Sequence, residues 1–322
     1  WGLASLPKLN FNSAALKNEM YKGKNSIVRK WISPPFGMSG WRIDVGNMTG
    51  RLGADDLHDD VMHGIRQAMD ETNPDAWLVA ENGDFVASDL NGLGWHGAMN
   101  YQGFMRPVWN WLNRNSEIGG GFQGLPFAMP QISGQQLINS MKQFNASVPW
   151  RSVTASMVLL DSHDTARFRT VVKGDVASHL SAMTMVLTYP GVPSIFAGDE
   201  IGLEGSWGED GRRTINWEDR SQWDHTFMGD VRQLISIRKG NDGLINGGLR
   251  WLAAEKDFIL YLRESEKQSV LIFVSRKGVN VKIDLSEFGL QVTQVLFGQT
   301  VTGSKFSIKS KEATQGVWVV TP

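Results

Sequence analysis

Gly40-Trp41-Arg42-Ile43-Asp44-Val45, running directly into Gly46-Asn47-Met48-Thr49-Gly50, is the stretch on which the fold turns. Trp41, Ile43 and Val45 alternate with Arg42, Asp44 and Gly46. That two-residue period predicts a short strand with one apolar face and one face carrying a guanidinium beside a carboxylate. The small-residue run behind it predicts a loop. A buried charge pair on a strand costs free energy unless it is fully paired or put to use. In an open sheet the apolar face packs on helices; in a barrel the charged face points into the lumen near its mouth. A fixed cation two residues from Asp44 favours the ionised carboxylate. An ionised, oriented carboxylate suits a nucleophile, and it equally suits a strand-end ion pair that only holds a loop.

Outward from this strand, helices and strands alternate, as in a parallel sheet. Asn12-Ser13 can cap a helix through Leu16 and Met20 that resumes from Ile27 to Trp31 and stops at Pro34-Pro35. A second helix spans about Asp55 to Glu71, with Leu57, Val61, Ile65 and Met69 at four-residue spacing. Trp77-Leu78-Val79-Ala80 reads as a strand ending on Glu81. His96 to Asn100 reads as another, followed by a helix through Met105, Val108, Trp109 and Leu112, and by a long loop with Gly119-Gly120-Gly121 and Pro126 to Pro130. A helix from Gly134 to Phe144 leads to a buried strand, Ser156 to Leu160, before Asp161-Ser162-His163-Asp164. A helix from Val176 to Leu187 precedes the strand Ser194 to Ala197, which runs into Gly198-Asp199-Glu200, and Thr226 to Arg238 is a last helix. After Gly247-Gly248 the texture changes to short strands (258–263, 270–274, 279–285, 292–297, 316–320), a small antiparallel domain. The expected architecture is α/β, with residues 1–246 as one domain and 247–322 as a β-sandwich.

The chain has 322 residues, more than one ordinary domain and a fit for a barrel plus a small satellite domain. Its 32 basic and 33 acidic residues leave a net charge of −1, so neither nucleic acid nor an anionic membrane is indicated as a partner. It has no cysteine, which excludes disulfides, thiolate catalysis and thiolate metal sites. Ser181 to Ala197 is the longest near-apolar run, and Pro190 and Pro193 break it. A cytoplasmic location is expected. Thirteen tryptophans are many, and indoles serve both as core filler and as surfaces for sugar rings.

Asp44, Glu81 and Asp164 each follow a predicted strand, with Asp199-Glu200 on a fourth. In a parallel barrel such residues meet at the C-terminal strand ends. Converging carboxylates fit a Mg²⁺ site or glycoside hydrolysis, in which one attacks and another delivers a proton. Arg42 already neutralises Asp44, which disfavours a dication. The sugar reading is preferred, and no cofactor is expected.

Gly40-Trp41-Arg42-Ile43-Asp44 resembles the strand-4 motif of the α-amylase family, glycoside hydrolase family 13. Val79-Ala80-Glu81 resembles its strand-5 motif, Leu160-Asp161-Ser162-His163-Asp164 its strand-7 motif, and Gly191-Val192-Pro193 through Glu200 its strand-8 motif. Leu6-Pro7-Lys8-Leu9-Asn10 resembles the short loop-domain motif of neopullulanases and cyclomaltodextrinases. The resemblance covers residues 1 to about 245, and the tail is similar to the family's C-terminal domain. It implies a (β/α)8 barrel, α-glucan or oligosaccharide substrates, and retaining hydrolysis through a glycosyl-aspartate. Asp44 would be nucleophile, Glu81 acid/base and Asp164 the binder of ring hydroxyls, with His163 beside it and Arg42 holding Asp44. Glu81, facing a nearby negative charge, is expected to hold its proton to higher pH than Asp44. Asp210 and Arg212 are candidates for an outer glucose subsite, and His96, Asn100 and Trp207 for the cleft wall. Met48 stands where many members carry a histidine linked to calcium, so a calcium site of that kind is not indicated. Glu81-Asn82-Gly83-Asp84 points to the neopullulanase or α-glucosidase-like branch. No counterpart of the strand-3 motif is found, so this chain is expected to hold strands 4 to 8 only, as a fragment completed by an N-terminal barrel segment or a dimer partner. A non-catalytic amylase-like scaffold or carbohydrate-binding protein remains the alternative.

Overall fold

The computed structural model describes residues 4–83, 86–114, 118 and 129–322. The Gly119-Gly120-Gly121 loop, the 126–128 part of the loop after it, and Asp84 lie outside the described residues. The chain forms two compact units, one of Trp1–Tyr101 and Asn145–Met157, the other of Gln102–Phe144 and Val158–Pro322.

The first unit is built on a parallel sheet in the order Gly40–Ile43, Trp77–Ala80, Gly97–Ala98. The Trp77 strand is central and its Leu78, Val79 and Ala80 are fully buried, as a strand covered on both faces requires. Gly40–Ile43 is an edge, half-buried along its whole length, with one partner among the described residues. Beyond the third strand the ladder continues through a parallel bridge between Met99 and Met157, and the Asn100 amide donates to the Met157 carbonyl (2.9 Å). Helix His58–Thr72 buries Val61, Met62, Ile65, Ala68 and Met69 on one face. Helix Ile27–Ile32 packs beside it, and Arg29 reaches the Ala68 carbonyl (3.3 Å), Thr72 Oγ1 (3.1 Å) and Glu71 (2.6 Å). Ser13 caps the first short helix by accepting the Leu16 amide, as expected.

Boundaries shift where side chains outcompete periodicity. The long helix begins at His58 rather than Asp55, because the Asp56 carboxylate accepts the His58 amide (3.1 Å) and Asp55–Asp56 pairs with Arg51–Leu52 instead. The expected Ser156–Leu160 strand is laddered only over Met157–Val158, and the expected Ser194–Ala197 strand over Val192–Pro193. Pro193 brings no amide to a ladder, and the Ser194 amide supplies the bond to Val158 (2.7 Å).

In the second unit, helices Val176–Thr188 and His225–Gly240 pack together, and the former also packs on the sheet that follows. Five antiparallel strands run in the order Gln291–Phe297, Gln315–Thr321, Ser269–Ser275, Phe258–Glu264, Gly248–Ala254. Val279–Asp284 pairs with Lys305–Ser310, and Leu262, Leu271, Phe273, Val281, Phe306 and Trp318 form the core. The strands at 248–254 and 305–310 are absent from the sequence reading. Arg263 ties helix to sheet, its guanidinium donating to the carbonyls of Thr188, Gly247 (2.8 Å) and Gly248 (3.0 Å). Burial brings its pKa down to about 10, still above any working pH, so the charge stays and the carbonyls satisfy it. Among the described residues, no helix is long and apolar enough to cross a membrane.

Candidate active site

The register of the first two strands decides where the acids fall. Arg42 is level with Val79 and Ile43 with Ala80, so Asp44 and Glu81 are the next residues of adjacent parallel strands. The Glu81 amide donates to the Ile43 carbonyl (2.8 Å), and the Gly46 amide to the Glu81 carbonyl (2.7 Å). One amino group of Arg42 bonds Asp44 Oδ1; the other is 2.9 Å from Glu81 Oε2, an ion pair rather than an aligned hydrogen bond. Glu81 Oε2 also accepts the Val45 amide (2.8 Å). The Asp44 side chain is 75% exposed and that of Glu81 only 15%. Arg42 therefore reaches Glu81 as well as Asp44. Parallel pairing brings both carboxylates to one level, and a planar guanidinium has an amino group for each.

The strand stops at Ile43 rather than Val45. Val45 has φ 43° and ψ 52°, a left-handed backbone that β-branched residues rarely adopt. That turn aims its amide at Glu81, and strain of this kind is held where surrounding contacts over-determine it. Gly46 is required by proximity, since a Cβ there would lie 2.7 Å from Ala80 Cβ.

The loops behind the two acids are laced together. His58 is 3.4 Å from Asp89 through Nε2, and its Nδ1 lies 2.9 Å from the Thr49 carbonyl; Asn82 also donates to Asp89 (3.3 Å). The Asp89 carboxylate raises the pKa of His58, against the opposing effect of burial. Lys8, from the Leu6–Asn10 motif, donates to the Met48 carbonyl. Among the described residues no group of three or more His, Asp or Glu could hold a metal ion. Asn100, fully buried, follows the third strand, but His96 precedes it and so lies at the end of the sheet away from Glu81.

The second unit brings Asp164, His163 and Arg212 together. Arg212 donates to Asp164 Oδ1 (3.1 Å) and to the His163 carbonyl (2.8 Å), and His163 Nε2 is 3.3 Å from Asp164 Oδ2. Trp207 is 54% exposed, next to Gly208, whose Cβ would meet Asp164. Asp210 is not paired with Arg212. It accepts the Ser206 amide (2.7 Å) and Arg213 (2.9 Å), and these bonds, the amide first, hold its carboxyl below the usual range.

Behind Asp164 lies a buried network of Asp161, Arg167 and Asp199. Arg167 donates to Asp199 (2.8 Å) and to the Gly211 carbonyl (2.8 Å), and stacks 3.8 Å over the Phe196 ring. Asp161 accepts the Phe168 amide (2.6 Å) through Oδ2, while its Oδ1 is buried with no hydrogen-bond partner among the described residues. Burial, and then the charge of Asp199, push Asp161 well above the usual carboxylate range, so of the two acids it carries the proton. The Arg167-Phe168-Arg169 run after the strand-end acids was the available signal.

The family model for the alpha amylase catalytic domain matches residues 1–255. The chain belongs to the alpha-amylase family. The fold of that domain is a (β/α)8 barrel with a C-terminal β-sheet domain. A cyclomaltodextrinase of a Bacillus species is 28% identical over 274 residues, covering 84% of this chain and 43% of that protein. Neopullulanase 2 of Thermoactinomyces vulgaris is 27% identical over 310 residues, covering 95% and 48%. The chain thus spans under half the length of these curated relatives. The debranching enzyme of Nostoc punctiforme superposes with a TM-score of 0.82 at 23% identity, covering 98% of this chain and 63% of that one, a likeness of fold.

Proposed function

We propose that this alpha-amylase family chain carries the reacting carboxylates of a retaining α-glucan hydrolase, with Asp44 as nucleophile and Glu81 as general acid/base. The carrying observation is that the two acids close adjacent, in-register parallel strands and share one guanidinium. Asp44, the exposed member, attacks the anomeric carbon while Glu81 protonates the departing glycosidic oxygen, leaving a glycosyl ester on Asp44. Glu81, now a carboxylate, takes a proton from water as its oxygen attacks the ester and frees Asp44. The arrangement seen here, with Glu81 accepting the Val45 amide beside Arg42, suits its carboxylate in that second step. A retaining pair stands about 5–5.5 Å apart, too close for an intervening water. Asp164, held by Arg212 and His163, would bind ring hydroxyls, and Asp210 with Arg213 an outer sugar. The described parallel strands would be the last five of the eight, with residues 1–246 as barrel and 247–322 as the C-terminal domain.

The test is trapping with an activated α-glucosyl fluoride. In the Glu81→Gln variant, mass spectrometry should find one added glycosyl unit on the peptide holding Asp44, and none after Asp44→Asn. An adduct elsewhere, or a product of inverted configuration, overturns the assignment. A second reading, a carbohydrate-binding member without catalysis, draws support from the engagement of both carboxylates by Arg42. It expects α-glucan binding and no adduct.

A further inference from the structure

At the other end of the same strands is a cavity that the chemistry above does not use. Its volume is about 280 Å³, at the low end of small-molecule sites. Trp77 opens the strand that Glu81 follows, so at about 3.3 Å per residue the cavity wall and the acid are separated by about 13 Å. Trp77 is half-buried, and its indole N–H is spent on the Ala155 carbonyl (2.8 Å), so the ring offers the cavity apolar surface alone. His96 accepts the Leu78 amide at Nδ1 (2.9 Å), which puts the ring proton on Nε2 as a donor for the cavity. Burial and the nearby Arg66 lower the pKa of this ring and keep it neutral. Arg66 is already engaged with Asp70 (2.9 Å) and the Gly94 carbonyl (3.0 Å). Arg151 and Asp75, both exposed, line the cavity with no side-chain ion pair or hydrogen bond among the described residues. Arg151 lies against Gly92, whose φ of 96° and missing side chain leave it room.

We infer that this cavity is a second, non-catalytic site for a neutral, hydroxyl-rich ligand, a glucosyl unit seated on Trp77 and gripped by Arg151, Asp75 and His96. With Arg66 held by Asp70, Arg151 and Asp75 remain as one guanidinium and one carboxylate, a donor and an acceptor rather than a site for charge of one sign. Their donors and acceptors match vicinal hydroxyls, and an indole with no free polar atom matches the apolar face of a sugar ring. A site so placed, at the end of the strands away from the acids, would hold an α-glucan without competing for Asp44. The choice of glucosyl ligand rests on the function proposed above.

The experiment titrates the 15N-labelled Glu81→Gln chain with maltotriose and follows two reporters, the Trp77 indole N–H for this cavity and the Val45 amide for the acids. Both should shift and saturate. Arg151→Ala, an exposed change that leaves the core alone, should weaken the Trp77 response at least tenfold and leave the Val45 response unchanged. Asp75→Asn serves as a second variant with the same expected direction. If Val45 responds and Trp77 is silent, or if Arg151→Ala and Asp75→Asn both leave the Trp77 response intact, the second site is wrong and the α-glucan reading stands. A Trp77 response to sulfate but not to maltotriose overturns it in favour of an anion site. Silence at both reporters removes the site and the α-glucan reading together.

Discussion

Val45 holds a left-handed backbone one residue after the candidate nucleophile, and that single turn gives Glu81 an amide to accept. It also presses Gly46 against the neighbouring strand. Gly46→Ala places a methyl 2.7 Å from Ala80 Cβ, with Glu81 O 3.1 Å away, and the strand ends must part. The cost should be about 1–3 kcal/mol of stability, as for overpacking elsewhere. Thermal denaturation should show it as a lower melting temperature, with weaker α-glucan binding because the two acids lose their common level. An unchanged melting temperature would mean that the strand ends are looser than drawn. The acids were legible because a charged residue after an apolar run stands out. The turn was not, because valine reads as strand and nothing in its neighbours announces a positive φ.

At the scale of elements, two buried charge clusters respond to pH in different ways. His58, level with the loop behind Asp44, has its pKa raised by Asp89, from the loop behind Glu81. The protonated ring is the one the fold favours, so its contribution is complete below about pH 6.5 and is lost as pH rises through the folded pKa. Melting temperatures across that window should fall with rising pH in the parent and be flatter after Asp89→Asn; parallel curves would remove the pair from the stability of these loops. Asp161 is the reverse of the usual acid. Its folded pKa is raised, so the fold prefers the proton, and stability declines as pH climbs from about 3.9 toward the folded pKa. Asp161→Asn should therefore be at least as stable as the parent at neutral pH, with an advantage that grows as pH rises. Asp199→Asn should instead cost about 3–5 kcal/mol, because Arg167 loses its counter-ion in a buried site. Denaturant titrations of both variants at several pH values separate these outcomes. Helices with clear apolar spacing, such as His58–Thr72 and Val176–Thr188, were placed within a few residues by pattern alone. Two-residue strands such as Gly97–Ala98 take their identity from parallel neighbours far away in the chain, and no local pattern encodes that. The Asp210–Arg213 ion pair was not legible for a similar reason. The spacing to Arg212 and to Arg213 is almost the same, and the helical turn at Gly208–Gly211 decides which guanidinium faces the acid.

For the molecule as a whole, the chemistry-bearing residues and the five-stranded sheet occupy different parts of the chain. The partners of Arg42, Asp44, His163, Asp164 and Arg212 all come before residue 248. The strands after it form a core in which Trp318 is fully buried, edge-on to Phe306 at 5.1 Å, with its indole N–H donated to the Gln299 carbonyl (3.0 Å). Truncating such a residue removes a large buried surface and leaves a cavity the neighbours refill only in part. Trp318→Ala should cost about 3–5 kcal/mol, and the stranded Gln299 carbonyl adds to the loss. The melting temperature should drop by several degrees, while α-glucan affinity, measured well below the transition, stays that of the parent. If affinity fell in step with stability while the chain was still folded, the tail would be contributing to the binding surface, and the assignment of recognition to residues before 248 would have to be withdrawn.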